Sequence, residues 1–197
     1  MIIGIDIDGV LTNLERFQLD YGSKYFFETE NKININHNEY EIIDIFNATT
    51  EDDDKFWKEY LDFYAKKEPA RRFASEIIKK LKNDGHQIYI ITARFLTDRD
   101  DYLGKKMRAI VKKWLKNNKI IYDKIIFSKE DKRDICKENN VDIMIEDAPK
   151  NIIELSEVLT KVICFDALYN RDIEKENVIR CYSWYDIYYK ILNIKNN

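Results

Sequence analysis

From about Ala70 onward, short apolar runs alternate with amphipathic stretches of helical period. That alternation restricts the chain to a sheet of parallel strands covered by helices. The apolar runs Gln87–Ile91, Lys124–Phe127, Val141–Glu146, Lys161–Asp166 and Asn177–Cys181 read as strands. Between them lie Phe73–Lys82, Asp98–Asn117, Glu130–Asn139, Pro149–Leu159 and a closing Trp184–Ile194, which read as helices. The inward faces are Phe73, Ile77, Ile78 and Leu81 in the first helix and Leu103, Met107, Ile110, Val111 and Trp114 in the second. Asn83-Asp84-Gly85 is a helix-closing cap. Ile2–Asp8 adds a buried strand ended by Asp8-Gly9.

Residues 14–70 break this rhythm. Leu14–Glu30 has Leu14, Phe17, Tyr21 and Tyr25 at helical spacing, and Asn31–His37 reads as a loop. Thr50 stands before an acidic first turn, Glu51-Asp52-Asp53-Asp54, suited to the positive end of a helix. Phe56, Trp57, Tyr60, Leu61 and Tyr64 then form one aromatic face, and Pro69 ends the helix. The reading is a core of about 1–13 and 71–197 with a small, mainly helical insertion, 14–70.

Composition narrows the chemistry. The 197 residues suit one domain carrying a modest insertion, and 45% hydrophobic with 13% aromatic residues supplies a core. A formal charge of −3 argues against a nucleic acid polymer as partner. With two histidines, His37 and His86, a multi-histidine metal site is impossible and a histidine triad disfavoured. Carboxylate, hydroxyl and lysine chemistry remains. Cys136, Cys164 and Cys181 are widely spaced, contain no CxxC, and read as buried reduced thiols. Met1-Ile-Ile-Gly-Ile-Asp6 has no basic n-region, so no signal peptide is expected. No apolar run approaches the roughly 20 residues of a membrane span. The expected compartment is the cytoplasm.

In an open parallel sheet, ligands bind beyond the carboxyl ends of the strands. The first strand ends in Asp6-Ile7-Asp8-Gly9. Asp6 and Asp8, two apart, project to one side and repel unless neutralised, as by a hard cation such as Mg²⁺. Gly9 lets the chain turn sharply after them. The plain alternative is two solvated aspartates at a turn. The second core strand ends in Ile91-Thr92-Ala93-Arg94, placing a hydroxyl where a phosphate oxygen would sit, although Thr92 is also an ordinary strand former. Lys129 and Lys132, ahead of the next helix, both offer a point charge to an anion. Ile145-Glu146-Asp147-Ala148-Pro149 repeats the acidic strand end, as a second half of the cation site or as a helix cap.

Asp6-x-Asp8-Gly9-Val10, Thr92, a lysine, and Glu146-Asp147, in that order, resemble the four motifs of the haloacid dehalogenase (HAD) superfamily across nearly the whole core. Ile88–Arg94, Ile145–Asn151, Phe165–Asn170 and Trp184 are similar to the 5′(3′)-deoxyribonucleotidase branch, as is a helical cap after the first motif; Leu14 stands where that branch carries an aromatic. The resemblance implies a Rossmann-like three-layer α/β core with a mainly parallel sheet and a small helical cap inserted after the first strand. It implies a Mg²⁺-dependent phosphomonoesterase with Asp6 as nucleophile and Asp8 as general acid and base. The cation would be held by Asp6, the Asp8 carbonyl and Asp147, with Glu146 behind it or acting through water. Thr92 and Lys132 would bind phosphate, Lys132 being preferred to Lys129 on spacing. Arg94, Phe56 and Trp57 are candidate substrate contacts. The expected substrate is a small phosphate ester, a nucleoside monophosphate ahead of a sugar phosphate. A phospho-accepting module or a silent binding relative are the remote alternatives.

Overall fold

The computed structural model describes residues 1–30, 33–129 and 131–195. Six strands, β1 (Ile2–Ile5), β2 (Gln87–Thr92), β3 (Lys124–Phe127), β4 (Ile143–Glu146), β5 (Lys161–Phe165) and β6 (Val178–Cys181), form one sheet in the order β3-β2-β1-β4-β5-β6. Every neighbouring pair is parallel. The chain builds outward from β1 to β3, then returns to lay β4 on the other side of β1. The boundary between β1 and β4 is therefore the point at which connections diverge and a crevice opens.

The helices are α1 (Leu14–Glu30), α2 (Ile42–Phe46), α3 (Thr50–Lys67), α4 (Ala74–Asn83), α5 (Tyr102–Asn117), α6 (Arg133–Glu138), α7 (Pro149–Ser156) and α8 (Trp184–Lys195). Strand alternation divides the sheet's side chains between two layers. Ile3, Ile5, Ile88, Ile90, Ile143, Ile145 and Ile163 pack with Ile77, Ile78 and Leu81 of α4, Val111 and Trp114 of α5, and Ile187 and Ile191 of α8. Met144, Val162 and Cys164 pack with Cys136 of α6 and Ile152 and Leu155 of α7. Both faces are covered, as a parallel sheet requires. The three-layer α/β architecture is thus the one expected.

Helices α1 to α3 carry a separate apolar cluster, built on Leu14, Phe17, Tyr25, Phe26, Ile42, Phe46, Phe56, Tyr60 and Tyr64. Gly22 gives the closest approach within it, since an added Cβ would stand 2.3 Å from the Phe46 ring. Helix α2 has no counterpart among the expected elements; five residues are too few for a period to show.

Several local expectations are corrected. The N-cap of α3 is Thr49, not Thr50: its hydroxyl accepts the Asp52 N–H, and the Asp52 carboxylate accepts the Thr49 N–H in return. Two adjacent threonines make this ambiguous in sequence. Phe73 is not on an inward stripe. It precedes α4 in the left-handed region, φ 68°, is 51% exposed, and packs edge-on against Tyr185. Leu103 is 45% exposed, because α5 starts at the Asp101 cap and Leu103 lies in its first turn. Of the expected loop Asn31–His37, Asn31 and Lys32 lie outside the described residues, and 33–37 are in neither helix nor strand. Glu130, where the sequence places the start of the helix before β4, also lies outside them, and α6 begins at Arg133. Cys136, Cys164 and Cys181 are free and buried. Among the described residues, no helix is long and apolar enough to cross a membrane.

Candidate active site

The C-terminal edge of the sheet gathers the acids. β1 stops at Ile5, so strand alternation does not carry on to Asp8, and the two aspartates take different cationic partners. Lys132, buried ahead of α6, reaches Asp6 Oδ1 at 2.8 Å and Glu146 Oε2 at 2.7 Å. Lys129 is exposed. The other Glu146 oxygen accepts the N–H groups of Asp147 and Ala148 at 3.1 and 3.2 Å, which fixes that carboxylate at the start of α7.

Asp147 is held from three sides. The Tyr169 hydroxyl donates to its Oδ2, and Asn170 Nδ2 donates to its carbonyl at 2.8 Å while also donating to the Phe165 carbonyl. Gly9, at φ 79°, lies against the same carboxylate: a Cβ there would stand 1.8 Å from Oδ2. The other oxygen, Oδ1, is buried and finds no hydrogen-bond partner among the described residues.

Asp8 belongs to a second arrangement. Arg94 Nε lies 3.0 and 3.1 Å from its two oxygens, and Nη2 donates to Oδ1 as well. The guanidinium lies 5.2 Å from the Tyr64 ring and 6.0 Å from that of Trp114. Its Nη1 is buried without a partner among the described residues. Tyr64, on α3, shares a 2.7 Å hydrogen bond with the Thr12 hydroxyl, tying that helix to the loop after β1. Thr92 is buried at the end of β2, where its Oγ1 accepts the Arg94 N–H at 3.2 Å.

Three buried carboxylates, Asp6, Glu146 and Asp147, thus gather around one ammonium that pairs with the first two, and one oxygen of each lies within 4.8 Å of the others. Burial pushes the Asp6 carboxyl up to about 7, the Lys132 charge opposing it and the Glu146 and Asp8 charges adding to it. Burial also raises Asp147, reinforced by Glu146 and Asp6. Burial disfavours the Lys132 ammonium, but the two carboxylates outweigh it and hold its pKa above the ordinary lysine value. A cluster short of positive charge, made of oxygen donors alone and holding an unpartnered buried oxygen, fits a hard divalent cation.

Asp8 and Arg94 also line a cavity of about 410 Å³ that runs beneath α1 and α3, where Leu14, Gln18, Asp53 and Trp57 face it. Trp57 therefore lines the cavity. Phe56, the other candidate contact, does not: it is fully buried among Tyr25, Trp57 and Tyr60 inside the helical cluster. On the aromatic face of α3, one position of rotation separates a wall of the cavity from the packing behind it.

Tyr169, Asn170, Tyr64 and Gln18 are site features that the chemical reading of the strand ends did not single out. The signal for Tyr169 and Asn170 was their place just past β5, at the same edge as the acids. Tyr64 was marked only as one member of the aromatic face of α3, and Gln18 carried no mark, since it comes from a helix outside the alternating pattern.

The family model described as "5′ nucleotidase, deoxy (Pyrimidine), cytosolic type C protein" matches residues 1–197. A nucleotidase of Clostridium acetobutylicum is 30% identical over 190 residues, covering 94% of this chain and 91% of that one. The structure of a predicted phosphatase from Clostridium acetobutylicum superposes with a TM-score of 0.66 at 14% identity, covering 98% of both chains. That of a haloacid dehalogenase-like family hydrolase from Streptococcus pneumoniae gives 0.63 at 12%, covering 96% of this chain and 97% of that one. These two structures speak for the fold.

Proposed function

The chain belongs to the cytosolic type C 5′ nucleotidase family of HAD-type phosphatases, and from that membership we propose that it hydrolyses nucleoside monophosphates with the help of Mg²⁺. The observation that carries this reading is the pair Asp6 and Glu146, bridged by Lys132 and joined by Asp147, set beside an Arg94-held Asp8 at the cavity. In this reading residues 1–13 and 71–197 are the catalytic core and 14–70 the cap that closes over the substrate.

Asp6 attacks phosphorus, and the bond to the ester oxygen breaks. Asp8 gives its proton to that oxygen, leaving an aspartyl-phosphate. Asp8 then takes a proton from water, the water oxygen bonds to phosphorus, and Asp6 is released with inorganic phosphate. Lys132 has three N–H donors, of which Asp6 and Glu146 engage two, leaving one for a phosphoryl oxygen. Thr92 offers a hydroxyl to another. Asp6, Asp147 and the Asp8 carbonyl would hold the cation, with Glu146 behind them, and the cation supplies positive charge against the phosphoryl oxygens. Three buried free thiols accord with a cytoplasmic location.

The test is hydrolysis, with Mg²⁺, of deoxy- and ribonucleoside 5′- and 3′-monophosphates beside sugar phosphates. Turnover of nucleotides is expected, and Asp6→Asn should lower it by more than about 1,000-fold. Turnover confined to sugar phosphates replaces the substrate class. Undiminished turnover by the Asp6→Asn protein overturns the mechanism.

A further inference from the structure

Asp147 is steadied by a turn that follows β5, and that turn is gathered by a residue from the edge of the sheet. Leu168–Asn170 form a single 3-10 turn. At its end Asn170, 1% exposed, donates through Nδ2 to the Asp147 carbonyl at 2.8 Å and to the Phe165 carbonyl at 2.9 Å. An amide can do this in only one of its two orientations, the one that points Oδ1 the other way. There Oδ1 accepts the Ala167 N–H at 3.2 Å and Arg180 Nη1 at 2.7 Å.

Arg180 stands on β6, the last strand in the sheet order. An ion pair with Asp166, 3.0 Å away, is the plain reason for an arginine there. The guanidinium reaches further. Besides the Asp166 and Asn170 side chains, which share Nη1, it meets the carbonyls of Asn170 at 2.8 Å, Ile173 at 3.2 Å and Arg171 at 3.4 Å through Nη2. Carbonyl oxygens turned toward one place repel one another, and a planar cation with several donors offsets that repulsion. Tyr169, inside the turn, donates its hydroxyl to Asp147 Oδ2. The holds on the Asp147 carbonyl and on its carboxylate therefore both leave from the segment that Arg180 gathers.

Resting on the reading that Asp147 helps to hold Mg²⁺, we propose that Arg180 is a positioning residue for that cation. It fixes the Asn170 amide and the turn that carries Tyr169, and through them it sets the Asp147 carboxylate. It reaches Asp147 only through these neighbours, so it is not a catalytic residue. Groups behind a metal's ligands orient them, and their loss weakens metal binding more than it disturbs the rest of the fold.

The experiment is calorimetric titration of the full-length protein with Mg²⁺, without substrate. Tyr169→Phe should raise the Kd about tenfold and Arg180→Met about fivefold. Arg180→Lys keeps a cation without the fork, and its Kd should lie between that of Arg180→Met and that of the unaltered protein. At saturating Mg²⁺, Arg180→Met should hydrolyse nucleotides with a kcat within about threefold of the unaltered value. In an Asn170→Ala background, Arg180→Met should raise the Kd by less than it does alone, because part of its path is already cut. An unchanged Kd in folded Arg180→Met protein, however far its unfolding midpoint falls, makes Arg180 a purely structural residue and overturns the proposal. Fully additive effects of Arg180→Met and Asn170→Ala do the same. Should Arg180→Met not fold, Arg180→Lys is read in its place. Hydrolysis undiminished by a chelator, with no Mg²⁺ bound by the unaltered protein, overturns the Mg²⁺ reading and this proposal with it.

Discussion

Lys132 and Arg94 are both buried, and both pair with aspartates that follow β1, yet they hold them in different ways. Lys132 stands between Asp6 and Glu146, a single ammonium shared by two carboxylates that are themselves almost wholly buried. Arg94 grips only Asp8, through two nitrogens, under the Tyr64 ring, and Asp8 keeps a face on the cavity. A compact point charge balances an anionic cluster, whereas a planar fork fixes the direction of one carboxylate. The difference separates what makes the acids tolerable in the interior from what aims Asp8, the acid proposed above to handle protons.

Substitutions can break or sharpen this contrast. The largest effect is expected from Lys132→Met, which leaves Asp6 and Glu146 without their cation. Unfolding in denaturant should show a loss of about 3–5 kcal/mol, and turnover should fall with it. Arg94→Lys keeps the charge and loses the fork. It should lower kcat by about 10- to 100-fold while costing only about 1–2 kcal/mol of stability. If it destabilises as much as Lys132→Met, the two cations do the same work and the contrast fails.

A smaller effect concerns pH. In the metal-free protein burial holds Asp6 near 7, above its unfolded value of 3.8. The folded state then binds that proton more tightly than the unfolded chain, so stability falls as pH rises from about 4 through 7. Asp6→Asn should flatten that part of the stability profile measured in the presence of a chelator. A steeper profile in the variant would mean that Lys132, not burial, dominates at Asp6.

How much of this could be read from sequence depends on what each residue is tied to. Asp6, Thr92, Glu146 and Asp147 are legible because they end apolar runs, and a run of Ile and Val has no packing reason to stop at an acid. Lys132 is legible only through spacing, since Lys129 has the same chemistry and its exposure is a tertiary fact. The exchange between Asp8 and Arg94 is hidden, because β1 stops three residues before Asp8 and the turn after Ile5 sets where its carboxylate goes. Phe56 and Trp57 look alike in sequence, and only the rotation of α3 against α1 decides that Trp57 faces the cavity. The fold was the easier problem: six apolar runs and their helices survive errors of one or two residues at each end, which a hydrogen bond does not.

The sheet order has a consequence for how the molecule is made. β1 is the earliest strand in the chain and a central one in the sheet, where Ile3 pairs with both Ile88 and Ile143. A growing chain therefore displays Asp6 and Asp8 before the lysine and arginine that neutralise them, and the second wall of β1 lies far along the sequence, with Ile143 pairing back to Ile3. Closing such distant contacts is slow. Assembly of the acidic edge and completion of folding are then the same late event, and a chain stalled before β4 would hold neither a stable sheet nor the full set of acids.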